Sequence, residues 1–367
     1  MQISKMEYCR EENDMLSKKR KLVRVFGFCM CVLLAGCGNG KTTDKKETGN
    51  ANTPYSQDVF AMDTYMSLTA YGPNGKEAVM AAVEEVNRLD SLWSVSSQEG
   101  EVYLLNQNGE GQLSQDTEIL MKRAGELYDS TEGVFDVTVY PLMDLWGFTS
   151  KEYHVPTKTE IAKTLPKVDQ SKISLAENGY LTLSNKQQID FGGIAKGYTS
   201  SKIMEIYKEH GVTSGMVSLG GNVQTLGTKT DGSNWNIGIQ DPESKEGDIL
   251  GVLSIANQAV ITSGGYERYF EEDGKTYHHI LNPKTGYPAD SGLISVSIVS
   301  EDGTLADGLS TALFVMGKEK AISYWQQHKD TFDAVLVETD GTIYVTEGLE
   351  KQFSSEKSFE IIRGEES

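Results

Sequence analysis

The chain has 367 residues, with 34 Lys and Arg against 53 Asp and Glu and a formal net charge of −19. So acidic a composition lacks the basic face that nucleic-acid binding demands, and no nucleic-acid partner is expected. All four cysteines (Cys9, Cys29, Cys31, Cys37) fall within the first 37 residues, so the chain beyond them has no further thiol for a disulfide or a zinc site.

At the start, Lys18-Lys19-Arg20-Lys21 precedes an apolar run from Leu22 to Leu34 that stops at Leu34-Ala35-Gly36-Cys37. A basic stretch, a short apolar stretch and small residues before a cut make a signal peptide over residues 1–36, and the run is short for a membrane span. The spacing resembles a bacterial lipoprotein box, which implies acylation of Cys37 and a protein held outside the cytoplasm, lipid-anchored to the cell membrane. An ordinary signal peptide and an uncleaved anchor are the alternatives, and Met15 offers a second start with a shorter basic stretch. From Cys37 onward the count is 27 basic against 49 acidic side chains, a net −22. Residues 37–57 are polar and rich in Gly, Thr and Asn, and they read as a flexible tether. A folded domain is expected over 58–357, with a tail over 358–367. At about 300 residues it can bury a large core without covalent staples.

Ser56–Tyr71 alternates as a strand does, and Gly75–Leu92 carries helical spacing through Ala78, Ala82, Val86 and Leu89. A second helix is expected near Thr117–Ser130, then a strand over Gly133–Leu142 up to Pro141. Lys158–Lys167 reads as a helical piece between Pro156 and Pro166, and Lys172–Leu183 as two short strands around Asn178-Gly179. Ile189–Tyr198 passes from strand to helix, and that helix runs to about His210. Strands follow near Met216–Leu219, Trp235–Ile239, Gly251–Ile255, Ala259–Ile261, Tyr277–Leu281 and Leu293–Val299. Helices at Leu305–Val315 and Lys318–His328 precede a last strand pair, Ala334–Glu338 and Ile343–Val345. Without a strict βαβ repeat, this mixture predicts an α+β fold.

Three segments carry chemistry in a fixed order: Ile189-Asp190-Phe191-Gly192-Gly193-Ile194-Ala195-Lys196-Gly197-Tyr198, then His278–Pro288, then Ala306-Asp307-Gly308-Leu309-Ser310-Thr311. Asp307 and Thr311 are spaced i and i+4, which on a helix sets two hard oxygen donors on one face. They suit magnesium, or else Asp307 complements the helix N-terminus and Thr311 bonds its own turn. The glycines of 192–197 permit close backbone approach at a helix start but match no established nucleotide fingerprint. Lys196 is a point charge for a phosphate or a surface carboxylate partner. His279 is the histidine singled out for acid–base work, with an imidazole expected near its ordinary pKa; the plainer reading is a hydrogen-bonding role.

These segments resemble the ApbE family of FAD:protein FMN transferases. The likeness spans nearly the whole domain, through Ala61-Met62-Asp63-Thr64, Gly133–Phe148, Ile189–Tyr198, Ser218–Asn222, Thr262–Phe270, His279–Pro288 and Ala306–Gly317. It implies a two-lobed, T-fold-like domain around a flavin cleft. The expected activity takes FAD as substrate, attaches FMN through its phosphate to a Thr or Ser hydroxyl of an acceptor flavoprotein, releases AMP and uses Mg2+. By the same resemblance the Ala195 carbonyl, Asp307 and Thr311 hold the metal. Met62, Phe135, Asp136, Asp190, Lys196, His279 and Ile280 contact FAD, although packing alone would account for Met62 and Phe135. His279 is the implied base.

Two positions depart from the family's pattern. Gly265 stands where many members carry aspartate, and Ser96 where many carry an aromatic ring near the cofactor, with Trp93 as a substitute ring. Hydrolysis of FAD to FMN and AMP, and flavin binding without turnover, are the alternative functions.

Overall fold

The computed structural model describes residues 52–364 apart from 185, 245 and 246. The predicted leader, Cys37 and most of the tether lie outside the described residues.

Nine strands form one sheet, and their spatial order is their chain order: Pro54–Ala61, Thr64–Tyr71, Gly215–Leu219, Asn222–Leu226, Ala259–Gly264, Leu293–Ser300, Asp333–Glu338, Ile343–Thr346 and Glu360–Ile362. Every neighbouring pair is antiparallel except the last, Ile343–Thr346 with Glu360–Ile362. Two domain boundaries shift in consequence. The expected tether reached residue 57 and the expected tail began at 358, yet Pro54–Gln57 and Glu360–Ile362 are sheet strands. Backbone pairing recruits both ends, the first through a largely polar stretch and the second with Ile362 buried in the main core.

Helices Gly75–Trp93 and Ala195–Glu209 cover one end of the sheet. Alternate strand residues Met66, Leu68, Ala70, Val217 and Leu219 meet Ala78, Ala82, Val86, Ile203 and Tyr207 in one buried cluster. Helix Gly303–Met316 covers the middle strands through Leu309, Leu313 and Phe314 packed with Val296 and Ile298. On the opposite face a three-stranded sheet, centred on Ile249–Ile255, packs Trp235, Ile237 and Leu253 against Val260, Val299 and Val335. A separate core of Leu142, Trp146, Phe148, Ile161, Phe270 and Leu281 builds a smaller aromatic lobe. Its centre is Phe270, stacked at 5.2 Å on Tyr153 and at 5.3 Å on Tyr277. The α+β architecture expected from the sequence is the one observed.

Three local expectations fail for identifiable reasons. Ser56–Tyr71 is two strands, because the chain reverses at Met62-Asp63. Both residues adopt positive φ, 49° and 60°, a two-residue hairpin turn built without the usual Asn or Gly. Gly133–Leu142 is not a strand but a 3-10 turn at Val137–Val139 and a helix at Tyr140–Leu145. Asp136 caps the turn by accepting from the Thr138 N–H, and Pro141 sits in the helix's first turn, where its missing N–H costs nothing. No strand precedes Gly192 either. The Asn106 amide takes both hydrogen bonds of Ile189, at 2.7 Å and 2.9 Å, so a side chain replaces a neighbouring strand.

Candidate functional site

Helices Ala195–Glu209 and Gly303–Met316 cross at two glycines. A Cβ on Gly197 would lie 2.1 Å from the Gly303 oxygen and 2.6 Å from the Asp307 Cβ, so only glycine permits this approach. The close crossing lets the Gly197 N–H donate to Asp307 Oδ2 at 2.8 Å. Asn222, entering from the turn at Gly220-Gly221, donates to Asp307 Oδ1 at 2.9 Å. Asp307 is 3% exposed, and the Lys196 ammonium lies 3.8 Å from Oδ1. This carboxylate is buried but well supplied with donors, as a buried charge must be.

Thr311 stands one turn further along. Its hydroxyl lies 3.3 Å from that of Ser263, and a Cβ on Gly193 would come within 3.7 Å of it. The Gly193–Gly197 segment therefore passes Thr311 at one end and binds Asp307 at the other, with Ala195 between. Among the described residues no group of three or more His, Cys, Asp or Glu side chains forms a metal cage. The donors this stretch offers are mixed: the Asp307 carboxylate, the Thr311 hydroxyl and the main-chain carbonyl of Ala195. That set fits magnesium, which takes few protein ligands and keeps waters for the rest.

His279 is held by one residue. Its backbone N–H and its ring Nδ1 both donate to the Arg268 carbonyl, at 3.0 Å and 3.1 Å. A carbonyl only accepts, so Nδ1 carries the proton and Nε2 presents a lone pair. Nε2 makes no protein hydrogen bond and is not among the buried unpaired atoms, so it is open to solvent. Burial and then the Arg268 guanidinium lower the imidazole's pKa to about 3. The expectation of an ordinary imidazole pKa is thus overturned by desolvation and by cationic neighbours, which also include Lys196.

Asp190 lies between the same cations. Its Oδ1 accepts from the Gly192 N–H at 2.7 Å, and loss of hydration raises its pKa against the opposing pull of that bond, Arg268 and Lys196. Met62, at the strained turn, is tied down by its N–H to Asp90 Oδ1 at 2.9 Å, and its sulfur meets the Thr199 hydroxyl at 3.9 Å. Such strain in non-glycine residues concentrates at functional positions.

The remaining candidates are more occupied. The Asp136 carboxylate accepts from Thr138 N–H, Thr138 hydroxyl and Gln170 N–H, and burial raises its pKa against the Thr138 bonds. Phe135 and Ile280 are buried core residues at 5% and 4% exposure, Phe135 against Gly193 and Ile280 beside His279. The Ala195 carbonyl accepts from the Thr199 hydroxyl at 2.8 Å. Trp93 does not supply a ring to the cleft. It packs edge-on to Phe191 and Tyr198, and its indole N–H donates to Thr117. Gly265 leaves room for its neighbour: a Cβ there would press on the His278 ring at 3.0 Å.

Sequence reading passed over Arg268, Glu267 and Asn222. Loss of hydration raises the pKa of Glu267, with Lys196 opposing and Asp307 adding. All three lie in segments already matched, Thr262–Phe270 and Ser218–Asn222, but spacing alone does not aim them at Asp307 or His279.

The sequence profile of the ApbE family matches residues 62–336. A Klebsiella pneumoniae protein named FAD:protein FMN transferase is 31% identical over 310 residues, covering 83% of this chain and 95% of the relative. A Treponema pallidum protein of the same name is 30% identical over 345 residues, covering 88% and 93%. The crystal structure of the ApbE protein from Thermotoga maritima superposes with a TM-score of 0.77 at 33% identity, over 82% of this chain and all of that one. The flavin transferase ApbE from Vibrio cholerae gives 0.74 at 25% identity, over 82% and 99%. With the profile spanning both the strained Met62 turn and the Asp307 helix, and with relatives aligned nearly end to end, this chain belongs to the ApbE family.

Proposed function

We propose that this protein is a magnesium-dependent FAD:protein FMN transferase acting on a Thr or Ser hydroxyl of an acceptor flavoprotein. The observation that carries the reading is the place of Lys196, which stands 3.8 Å from Asp307 while its charge also acts on His279. Asp307 lies beside Lys196, Thr311 follows it one helical turn on, Ala195 adjoins Lys196 in the chain, and His279 offers a neutral imidazole whose Nε2 has no protein partner. Asp190, Met62, Phe135, Asp136 and Ile280 frame the flavin and adenine ends of the substrate in this reading.

His279 Nε2 accepts the proton of the acceptor hydroxyl as its oxygen bonds the FMN phosphorus. The P–O bond to the adenylate breaks in the same displacement, and AMP leaves. Lys196 balances charge on the departing phosphate, and Arg268 keeps the imidazole's other nitrogen protonated. Magnesium, held by Asp307, Thr311 and the Ala195 carbonyl, would polarise the pyrophosphate as a Lewis acid. Negative phosphates entering beside His279 offset the cations that lower its pKa, strengthening the base when substrate is bound.

Incubating the protein with FAD and magnesium, with and without an acceptor domain, tests this reading. AMP release should require the acceptor. Release that is equally fast without it would make the protein an FAD hydrolase, with water in place of the hydroxyl, and no release at all would leave flavin storage.

Ser96 is exposed, with its hydroxyl 3.3 Å from that of Ser94. Ser96→Tyr is expected to tighten FAD binding about tenfold, since one stacked ring is worth ~1–3 kcal/mol. Equal affinities on titrating FAD into both apo proteins would show that residue 96 does not face the cofactor.

We also propose that Cys37 carries a lipid and that the domain works outside the cytoplasm on a tether. No helix among the described residues is long and apolar enough to cross a membrane. Cys37→Ala should release an active protein from the membrane fraction, whereas retention of that variant would point to an uncleaved anchor.

A further inference from the structure

Arg268 grips His279 from two directions. Its carbonyl takes both His279 donors, backbone N–H and ring Nδ1–H. Its guanidinium reaches back, donates to the Phe148 carbonyl and lies 6.0 Å from the Phe148 ring centroid. That ring stands edge-on to the His279 imidazole, with centroids 6.4 Å apart and planes at 69°. The contacts close a circle from Arg268 to Phe148 to His279 and back. Phe148 makes a fixed anchor, because it is fully buried and the preceding Gly147 turns at φ 76° with the Glu152 oxygen only 2.1 Å from where a Cβ would be. A guanidinium matches this task better than an ammonium, since one planar group both donates to the carbonyl and lies by the ring.

We propose that Arg268 is the positioning residue for His279: anchored on Phe148, its carbonyl selects the Nδ1–H tautomer and leaves Nε2 as the acceptor facing the cleft. This rests on the reading of His279 as the base, but its test does not depend on turnover. The charge of the same side chain helps to hold the ring neutral. The charged and titratable groups acting on His279 are Arg268, His278 and Lys196.

The experiment is 15N NMR of histidine-labelled full-length protein, with His279→Gln assigning the signal, compared with Arg268→Gln and Arg268→Lys. Wild type should show a single Nδ1–H tautomer and no titration of His279 near neutral pH. Arg268→Gln loses both the anchor and the charge. Its imidazole should populate both tautomers and titrate about one unit or more higher, the usual scale for a close charge. Arg268→Lys keeps the charge but not the fork, so its tautomers should mix while the titration stays low. In the transfer assay both variants should lower kcat more than they raise KM for FAD. If both keep the wild-type tautomer and titration, whatever their melting temperatures, the inference is overturned. If the tautomer responds as described and wild type transfers no FMN, the inference stands and the proposed function fails.

Discussion

Asp307→Ala is expected to lose FMN transfer by about a hundredfold or more, because metal stabilisation of phosphoryl charge is worth several kcal/mol and ~1.4 kcal/mol is a decade. The substitution removes the one carboxylate of the donor set. It also leaves the Gly197 N–H and the Asn222 amide without their acceptor, at about 1–3 kcal/mol for each buried orphan. Its melting temperature should therefore fall as well. Thr311→Ala separates these effects. Its hydroxyl has only the 3.3 Å approach to Ser263 to lose, so stability should change little and activity should drop at limiting magnesium. Excess magnesium should partly restore it. Normal transfer by both variants at limiting magnesium would remove the metal site from Asp307 and Thr311.

His279→Ala is expected to keep FAD binding while transfer falls by roughly 10²–10⁴-fold, the range for a general base. The pH dependence makes the expectation sharper. With its folded pKa depressed to about 3, His279 is already neutral throughout the physiological range. The pH profile of kcat/KM reports groups of the free enzyme, so His279 should produce no acid limb near pH 6.5. An acid limb there that vanishes in the alanine variant would contradict the lowered pKa. Stability carries the same sign. Between about pH 6.5 and 3 the unfolded chain binds a proton at this residue and the folded one does not, so stability is lost as pH falls through that window. Removing the imidazole should lessen the loss, which acid titration of both proteins would show.

The residues that hold the site were legible where local pattern and tertiary need coincide. The helix spacing of Asp307 and Thr311 already put both on one face, and helix Gly303–Met316 keeps them there. The glycines at 192, 193 and 197 announced a close backbone approach, although not that Gly303 would be the partner. What stayed hidden depends on contacts between distant parts of the chain. The Met62-Asp63 turn has neither Asn nor Gly to betray it, and its strain is held by Asp90 from another element. Gly133–Leu142 alternates like a strand, but Asp136 turns its backbone aside. The shift at His279 comes first from burial and then from Arg268, with His278 and Lys196 adding, and of these only His278 adjoins it in sequence. Trp93 was a fair substitute for the ring absent at Ser96 until Thr117, Phe191 and Tyr198 claimed it.

Whether FMN reaches a protein hydroxyl is read directly from the mass of an acceptor protein after incubation with this enzyme, FAD and magnesium. A gain equal to FMN less water is expected, mapped by fragmentation to one Thr or Ser, with one AMP released per modified hydroxyl. The same acceptor with that residue changed to alanine should gain nothing. An unmodified acceptor alongside steady AMP release, or a mass gain that persists in the alanine acceptor, would contradict the proposed transfer.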